Sequence, residues 1–114
     1  MSDKVINLFG DMVDIVEDND AYTYTFDEYQ DNVLETLGPD ADARSLALGV
    51  GGEAGEVLEI IKKGHRPGAE VDVEHLEEEI GDVLWYLAAL ADYYGLSLQE
   101  IALNNVEKLA KRYK

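Results

Sequence analysis

The sequence predicts an all-α protein, an antiparallel bundle of about four to five helices that associates into an oligomer. Apolar residues recur at helical spacing along almost the whole chain, and no segment shows convincing strand alternation. The 114 residues include only two prolines, so long stretches are free to be helical. A hydrophobic content of 46% with 30% charged residues is typical of one globular domain with a single core.

The first predicted helix covers Lys4 to Glu17 and places its apolar residues on one side. A loop follows from Asp18 to Tyr24. We expect residues 1–24 to form an acidic N-terminal extension and residues 25–114 to form the main domain. The apolar side of this helix consists of Val5, Ile6, Phe9, Met12, Val13 and Val16.

The second predicted helix begins at a capping box, in which Thr25 is followed three residues later by Glu28. The Gly-Pro dipeptide after Leu37 ends this helix. At its start an alternative stays open, because Tyr22, Tyr24 and Thr25 also fit a short extended piece.

The third predicted helix runs from Ala43 to Lys63 and contains four glycines. Each glycine destabilises a helix by roughly 1 kcal/mol relative to alanine, so four of them need a physical reason. Close approach of a neighbouring helix or of a ligand is the usual reason, and a later helix start is the alternative. The four are Gly49, Gly51, Gly52 and Gly55.

Two further helices are predicted beyond the loop at residues 65–71. Asp72 caps the fourth helix, whose broad apolar stripe ends at Gly95. Ser97 and Glu100 form a second capping box that opens the fifth helix. Broad apolar stripes on at least three helices of so short a chain predict association with further copies.

The net charge of −16 arises from 25 acidic and nine basic residues. Such an excess disfavours direct binding to duplex nucleic acid or to anionic lipid. The longest apolar run, Val83 to Ala91, is too short to span a bilayer. The absence of cysteine excludes disulfides and thiolate chemistry, and acids stand where a signal peptide carries bases. We therefore expect a cytoplasmic protein.

Two pairs of acidic residues stand at i and i+3 spacing on the third and fourth predicted helices. Glu53 and Glu56 form the first pair, and Glu79 and Asp82 form the second. Residues three apart share a helix face, and the short loop makes the two helices an antiparallel hairpin. Each pair lies roughly 10 Å from the loop, because a helix rises about 1.5 Å per residue. The four carboxylates are therefore expected to meet across one seam.

Four oxygen donors beside an apolar stripe predict a site for a hard divalent cation, Mg²⁺ or Mn²⁺. A cation relieves the mutual repulsion of carboxylates that are costly to desolvate. The competing interpretation is that the acids pair with Lys62, Lys63 or other exposed bases and do nothing else. A di-iron site is unfavourable because neither His65 nor His75 completes a Glu-x-x-His motif, and both histidines are expected to be solvated or capping residues.

The acidic segments resemble the MazG-like nucleotide pyrophosphohydrolases of the all-α nucleoside triphosphate pyrophosphatase superfamily. The likeness covers about Phe26 to Tyr113, and residues 1–24 have no counterpart in the shorter members. It rests on Leu48-Gly-Val-Gly-Gly-Glu-Ala-Gly-Glu-Val57, on Glu79-Ile-Gly-Asp-Val-Leu-Trp-Tyr-Leu87, on Asn105-x-x-Lys108-Leu109-x-x-Arg112-Tyr113 and on Tyr29-Gln30.

This resemblance implies a hydrolase that cleaves a nucleoside triphosphate between its α and β phosphates, releasing a monophosphate and pyrophosphate. It implies Mg²⁺ as cofactor and a dimer or tetramer as assembly. It assigns metal binding and catalysis to Glu53, Glu56, Glu79 and Asp82. The residues assigned to the phosphates or sugar are Asn105, Lys108 and Arg112, with Lys62 and Lys63 either assisting or only stabilising their helix end. Gln30 and Trp85 are candidates for contacting the base, and Trp85 equally fits a core position.

Two other hypotheses are compatible with the sequence. A non-catalytic acidic helical module would bind basic partners through its N-terminal part and turn over no triphosphate. An inactive relative would retain the fold and bind Mg²⁺ without turnover.

Overall fold

The computed structural model describes residues 3–6, 12–15 and 23–113. The range 23–113 contains four helices and no strand, which confirms the helical class predicted for this part of the chain. None of the described helices is both long enough and apolar enough to cross a lipid bilayer. The helices are α1 (Phe26–Thr36), α2 (Ala43–Gly64), α3 (Val73–Tyr93) and α4 (Leu98–Arg112).

The N-terminal segment forms a two-stranded antiparallel hairpin. Its strands are β1 (Asp3–Ile6) and β2 (Met12–Ile15), and Val5 pairs with Val13 in the register. Both strands contain valine and isoleucine, whose branched Cβ atoms favour extended backbone.

The predicted helix from Lys4 to Glu17 is therefore wrong wherever the structure describes it. Short apolar runs fit a strand as well as a helix, and here the β-branched residues decide in favour of the strand. Residues 7–11 and 16–22 lie outside the described part of the chain, and they include Phe9, Val16 and most of the predicted loop.

Each of the four helices begins at a side-chain cap. Thr25 Oγ1 accepts a hydrogen bond from the Glu28 backbone N–H at 3.1 Å, as the first capping box predicts. Asp42 and Ser45 form a reciprocal capping box at the start of α2, which the sequence analysis missed. The other two predicted caps, Asp72 for α3 and Ser97 for α4, accept from the backbone N–H groups of His75 and Glu100.

Helices α2 and α3 pack as an antiparallel hairpin. Gly64 at the end of α2 lies against Val71, and Gly49 lies against the ring of Tyr86 near the other end. A Cβ atom on Gly49 would stand 2.1 Å from that ring, so only glycine allows the two helices to approach so closely there. This close approach is the reason predicted for a helical glycine.

For the other glycines of α2 the described part of the chain offers no such reason. The helix begins at Ala43, so the alternative of a later start is excluded. A Cβ atom built on Gly51, Gly52 or Gly55 would meet nothing within 4 Å outside the backbone of its own helix turn.

The core lies where α1, α2, α3 and the start of α4 converge. The most deeply buried side chain is that of Ala88, and Trp85 and Tyr86 pack against the same cluster at its edge. Small residues on α3, Ala88 and Ala89, let α1 lie close to it. The buried residues of the cluster are Val33, Leu46, Ala88, Ala89 and Leu98.

Candidate metal centre and active site

Three carboxylates converge on the seam between α2 and α3. Glu53 comes from α2, while Glu79 and Asp82 come from α3. Each contributes one oxygen atom, and these three oxygens lie within 4.8 Å of one another. Glu53 and Glu79 are partly buried and Asp82 is exposed, so the cluster opens to solvent on the side of Asp82. We refer to these three residues as the acidic cluster.

Glu56 is not among the residues whose carboxylate oxygens lie within 4.8 Å of one another, although four carboxylates were expected to meet across this seam. A step of three residues turns a helix by about 300°, so Glu56 is rotated by about 60° from Glu53. Glu53 lies on the line of α2 that faces α3, and Glu56 therefore lies to one side of it. There it lines a neighbouring groove of about 220 Å³ together with Glu59, Asp72 and His75.

Glu79 has different surroundings at its two carboxylate oxygens. Its Oε1 atom lies 3.3 Å from Nε2 of His75, one helical turn earlier on α3. Its Oε2 atom is buried and has no hydrogen-bond partner in the part of the chain that the structure describes. His75 was expected to be a solvated or capping residue, and its i,i+4 spacing from Glu79 is the signal that points to this contact.

The carboxylate of Glu79 lies close enough to Glu53 to raise the pKa of Glu53. A hydrogen bond from Glu53 to Glu79 raises the pKa of Glu53, and partial desolvation and the charge of Glu79 raise it further. All three effects favour the neutral form of Glu53. A cation bound between the two carboxylates would favour the charged form instead.

The acidic cluster fits a divalent cation. An ion that binds oxygen at about 2.1 Å holds adjacent ligands roughly 3 Å apart and opposite ligands roughly 4 Å apart. Oxygens already within 4.8 Å of one another need only small side-chain rotations to reach such spacings. The donor set consists of carboxylates alone, which suits Mg²⁺ or Mn²⁺. The buried Oε2 atom of Glu79 would gain a partner.

The two lysines near the end of α2 do not neutralise the acidic cluster. Lys62 Nζ lies 3.5 Å from Glu59 Oε1 on the exposed side of the helix. Lys63 lines the groove that contains Glu56 and His75. Neither forms an ion pair with Glu53, Glu79 or Asp82 among the described residues.

The polar and basic residues expected at the phosphates are exposed on α4. Asn105, Lys108 and Arg112 form no side-chain hydrogen bond or ion pair within the described part of the chain. Helix α4 packs on α1 and α3 but makes no contact with α2 among the described helices. The fold of one chain therefore leaves these three side chains available to a ligand or a partner.

Gln30 and Trp85 are engaged in contacts that hold α1 in place. The Gln30 amide donates to the carbonyl oxygens of Ala88 and Leu96 and accepts from the Leu98 N–H, at 3.0 to 3.1 Å. Trp85 Nε1 donates to Thr36 Oγ1 at 2.8 Å. Gln30 is buried, and its amide nitrogen and oxygen both bond to backbone groups, so its geometry is that of a structural residue.

An aromatic cavity of about 460 Å³ opens between the start of α1 and the middle of α3. No sequence pattern indicates this cavity, because its walls come from segments far apart in the chain. Burial raises the pKa of Tyr29 in its wall, and the neighbouring Tyr24 and the charge of Asp82 add to this effect. The electrostatic field of the acidic cluster thus reaches this cavity. Its lining residues are Thr23, Tyr24, Thr25, Phe26, Tyr29, Leu84 and Gln99.

Comparison with known proteins agrees with this geometry. The family of the MazG nucleotide pyrophosphohydrolase domain matches residues 42–114 of this chain, the range that holds the whole acidic cluster. No solved structure matches the chain.

Two similar proteins have names that record no activity. The Gene 37 protein of Mycobacterium phage L5 is 35% identical over 71 residues, which is 59% of this chain and 62% of that protein. The uncharacterized protein YvdC of Bacillus subtilis strain 168 is 48% identical over 40 residues, which is 35% of this chain and 38% of that protein. The chain thus matches less than two thirds of the length of each relative. Since the family match covers most of the chain and contains the acidic cluster, this protein belongs to the MazG nucleotide pyrophosphohydrolase family.

Proposed function

We propose that this protein is a Mg²⁺-dependent nucleoside triphosphate pyrophosphohydrolase. It cleaves a ribo- or deoxynucleoside triphosphate between the α and β phosphates and releases the monophosphate and pyrophosphate. Family membership supports the reaction class, and the acidic cluster on the α2–α3 seam supports metal dependence.

The buried, unpartnered Oε2 atom of Glu79 is the observation that carries this proposal. A buried oxygen without a hydrogen bond destabilises a protein by roughly 1–3 kcal/mol, so its retention needs a compensating ligand. The adjacent oxygens of Glu53 and Asp82 would repel an anion and attract a cation. These three side chains would hold the ion, and Glu56, beside them on α2, would orient the attacking water or hold a second ion.

The chemistry that Mg²⁺ supplies in such a site is charge neutralisation at phosphate oxygens and a lowered pKa of bound water. The protein contributes a fixed arrangement of ligands, because Glu53 and Glu79 project from two packed helices. We propose that Asn105, Lys108 and Arg112 on α4 contact the phosphates or the sugar, where fixed positive charge stabilises the charge of the transferring group. Lys63, in the groove beside Glu56, is placed to assist.

We assign Gln30 and Trp85 a positioning role instead of contact with the base. Both side chains hold α1 against α3 through the hydrogen bonds described above. Movement of α1 would change the wall of the aromatic cavity, which includes Tyr29. A substitution of Gln30 or Trp85 would therefore affect substrate binding only indirectly, by changing the wall of the aromatic cavity.

We further propose that the protein works as a homo-oligomer in the cytoplasm. An apolar groove of about 330 Å³ runs along the α2–α3 hairpin and is lined by Ala54, Val57, Ile80, Val83, Leu84 and Leu87. Apolar side chains are also exposed on α4, including Leu103 and Val106, and at Tyr113 directly after it. Exposed apolar surface of this extent on a small chain favours association.

The test is a turnover screen of the full-length protein against the common ribo- and deoxynucleoside triphosphates. We expect monophosphate and pyrophosphate as products with Mg²⁺ or Mn²⁺, and no turnover with excess EDTA. Glu79→Gln and Asp82→Asn should lower turnover by roughly 10²–10³-fold, because each removes the charge of a ligand to the ion that neutralises the phosphate oxygens. Glu78→Gln is the matched control, since Glu78 is an exposed acid on the same helix.

Three outcomes would contradict the proposal. One is normal turnover by both acid variants, and another is phosphate in place of pyrophosphate as the product. The third is no turnover of any triphosphate. In that case, a protein that still binds Mg²⁺ would be an inactive relative. A protein that does not bind Mg²⁺ would be a non-catalytic binding module. Removal of residues 1–22 should leave turnover intact, because the acidic cluster lies wholly within the range 25–114.

A further inference from the structure

Three aromatic rings line the cavity between the start of α1 and the middle of α3. Tyr24 and Phe26 are each 39% exposed, so both rings are accessible from solvent, and Tyr29 belongs to the same wall. The volume of about 460 Å³ lies within the range of pockets that bind small organic molecules. Aromatic rings around such a space bind flat ring systems by stacking, and every nucleic-acid base offers a face for this contact.

The aromatic cavity begins close to the acidic cluster. Leu84 in its α3 wall follows Asp82 by two residues, which is about 3 Å along the helix axis. Tyr29 in its α1 wall is near enough to Asp82 for the charge of that carboxylate to contribute to the raised pKa of Tyr29. A ligand whose charged end binds at the cluster therefore has room for its uncharged end in the cavity.

Helix α1 runs toward the level of the acidic cluster from the other end of the cavity. Thr36, its last residue, accepts a hydrogen bond from Trp85, which follows Asp82 by three residues on α3. Phe26, its first residue, instead donates its backbone N–H to Oε1 of Gln99 at 3.2 Å, and Gln99 is the second residue of α4. Gln99 therefore lies at the end of the cavity that is farther from the cluster.

The contact with Phe26 decides which hydrogen-bonding group Gln99 offers to a ligand. The first N–H groups of a helix have no acceptor within that helix, and only the oxygen of a carboxamide accepts from an N–H. The oxygen of Gln99 is thus engaged by Phe26. Its amide nitrogen forms no hydrogen bond with any residue that the structure describes. Gln99 consequently presents donors to the cavity.

A donor at this position distinguishes the bases by one exocyclic group. Guanine and thymine carry a carbonyl oxygen, O6 or O4, where adenine and cytosine carry an amino group. Uracil has the same O4 atom as thymine. This group lies on the side of the base away from the sugar, so it leads when a nucleotide enters the cavity with its phosphates at the acidic cluster.

We propose that the aromatic cavity holds the base of the substrate and that Gln99 selects uracil, thymine or guanine over cytosine and adenine. The inference rests on the proposed function, because it places the triphosphate at the acidic cluster. The rings of Tyr24 and Phe26 stack on the base, and the amide nitrogen of Gln99 donates to O4 or O6. An amino group at the same position would meet another donor and leave both unsatisfied.

The test measures binding without turnover. Analogues of UTP, CTP, GTP and ATP with an imido group between the α and β phosphates are titrated into the full-length protein with Mg²⁺ and followed by calorimetry. We expect the uracil analogue to bind about tenfold more tightly than the cytosine analogue, and the guanine analogue about tenfold more tightly than the adenine analogue. One hydrogen bond gained or lost has an effect of about this size.

Gln99→Glu is the decisive variant. It keeps an oxygen for the N–H of Phe26 and replaces the free donor by a second acceptor. The uracil-to-cytosine affinity ratio should therefore fall by about tenfold or more. Asn104→Asp is the matched control, because it adds the same charge at an exposed position of α4 and should leave the ratio unchanged. Phe26→Ala should weaken all four analogues by about tenfold without changing the ratio, since stacking does not depend on the exocyclic groups.

The unmodified protein decides the proposal even if a variant does not fold. Equal affinity for the uracil and cytosine analogues, a preference for the amino bases, or no binding of any analogue would overturn it. An unchanged ratio in a folded Gln99→Glu variant would do the same. The proposed function fails separately: selective binding without hydrolysis of the natural triphosphates contradicts that function alone, whereas equally efficient hydrolysis of all four contradicts only the role of Gln99.

Discussion

Nε2 of His75 lies 3.3 Å from Oε1 of Glu79, and the other oxygen of Glu79 is buried without a hydrogen-bond partner among the described residues. One carboxylate thus has a protein contact on one side and an unused acceptor on the other. A side chain that orients a metal ligand in this manner acts on ion affinity through that ligand. The candidate metal site therefore includes His75 in addition to the three residues of the acidic cluster.

We expect His75→Ala to weaken Mg²⁺ binding by roughly 10-fold, because a ligand that loses its orienting partner binds less well. The measurement is calorimetric titration of the protein with Mg²⁺. His65→Ala is the matched control, since His65 is exposed beyond the end of α2 and contacts no acid of the cluster. Equal Mg²⁺ affinity of the two variants would show that His75 does not position Glu79.

We expect the stability of the metal-free protein to depend on the charge of Glu53. The raised pKa of Glu53 means that the native state keeps its proton to higher pH than the unfolded chain does. The contribution of Glu53 to the free energy of unfolding is therefore fully present below the ordinary glutamate pKa, and it decreases as the pH rises through the raised value.

Glu53→Gln should flatten this part of the pH profile of the melting temperature. The comparison is made between about pH 4 and 7 in the presence of a chelator, where carboxylates titrate. At neutral pH the variant should melt higher than the unmodified protein without metal, and Mg²⁺ should stabilise it less. If the two profiles are parallel, the pKa of Glu53 is not raised in the native state.

Two glycine substitutions in α2 should change stability in opposite directions. Gly49→Ala places a methyl group against the ring of Tyr86, and overpacking of this kind destabilises by roughly 1–3 kcal/mol. Gly52→Ala meets open space and should stabilise the helix by roughly 1 kcal/mol. Chemical denaturation of both variants gives the free energies. Equal destabilisation would mean that Gly52, too, has a close neighbour.

Gln30→Ala should lower the free energy of unfolding by roughly 1–3 kcal/mol, because it leaves buried backbone groups without partners. These groups are the carbonyl oxygens of Ala88 and Leu96 and the N–H of Leu98. Thermal unfolding measures the loss, and the relative turnover of different bases should stay unchanged. A changed base preference with an unchanged melting temperature would restore Gln30 as a base-contacting residue.

The four helices could be predicted from the sequence because helix formation depends on residues that lie close together in the chain. Helical periodicity placed α1 to α4, and capping residues such as Thr25 and Ser97 fixed where two of them begin. The prediction failed at Lys4 to Glu17, since runs of four apolar or β-branched residues fit both a helix and a strand. The local signal for a strand there is the β-branched residues alone, Val5, Ile6, Val13 and Ile15.

The sequence predicted which helices and acids form the candidate site, and the structure showed which of these acids lie together. The spacing of Glu53, Glu79 and Asp82, together with the short α2–α3 loop, was enough to bring these carboxylates level. The rotation of Glu56 out of the cluster depends on which line of α2 faces α3. Packing sets that line, through contacts such as the one between Gly49 and Tyr86.

By itself the sequence determined the helices, the hairpin that joins α2 to α3, and the acids that the hairpin carries. Only the tertiary structure decided that Gln30 is bound to the backbone of the α3–α4 turn and that Leu48 and Leu58 stay exposed. Helix formation depends on residues three or four apart, whereas these features depend on how helices rotate against one another. That rotation is set by side-chain packing between segments far apart in the chain.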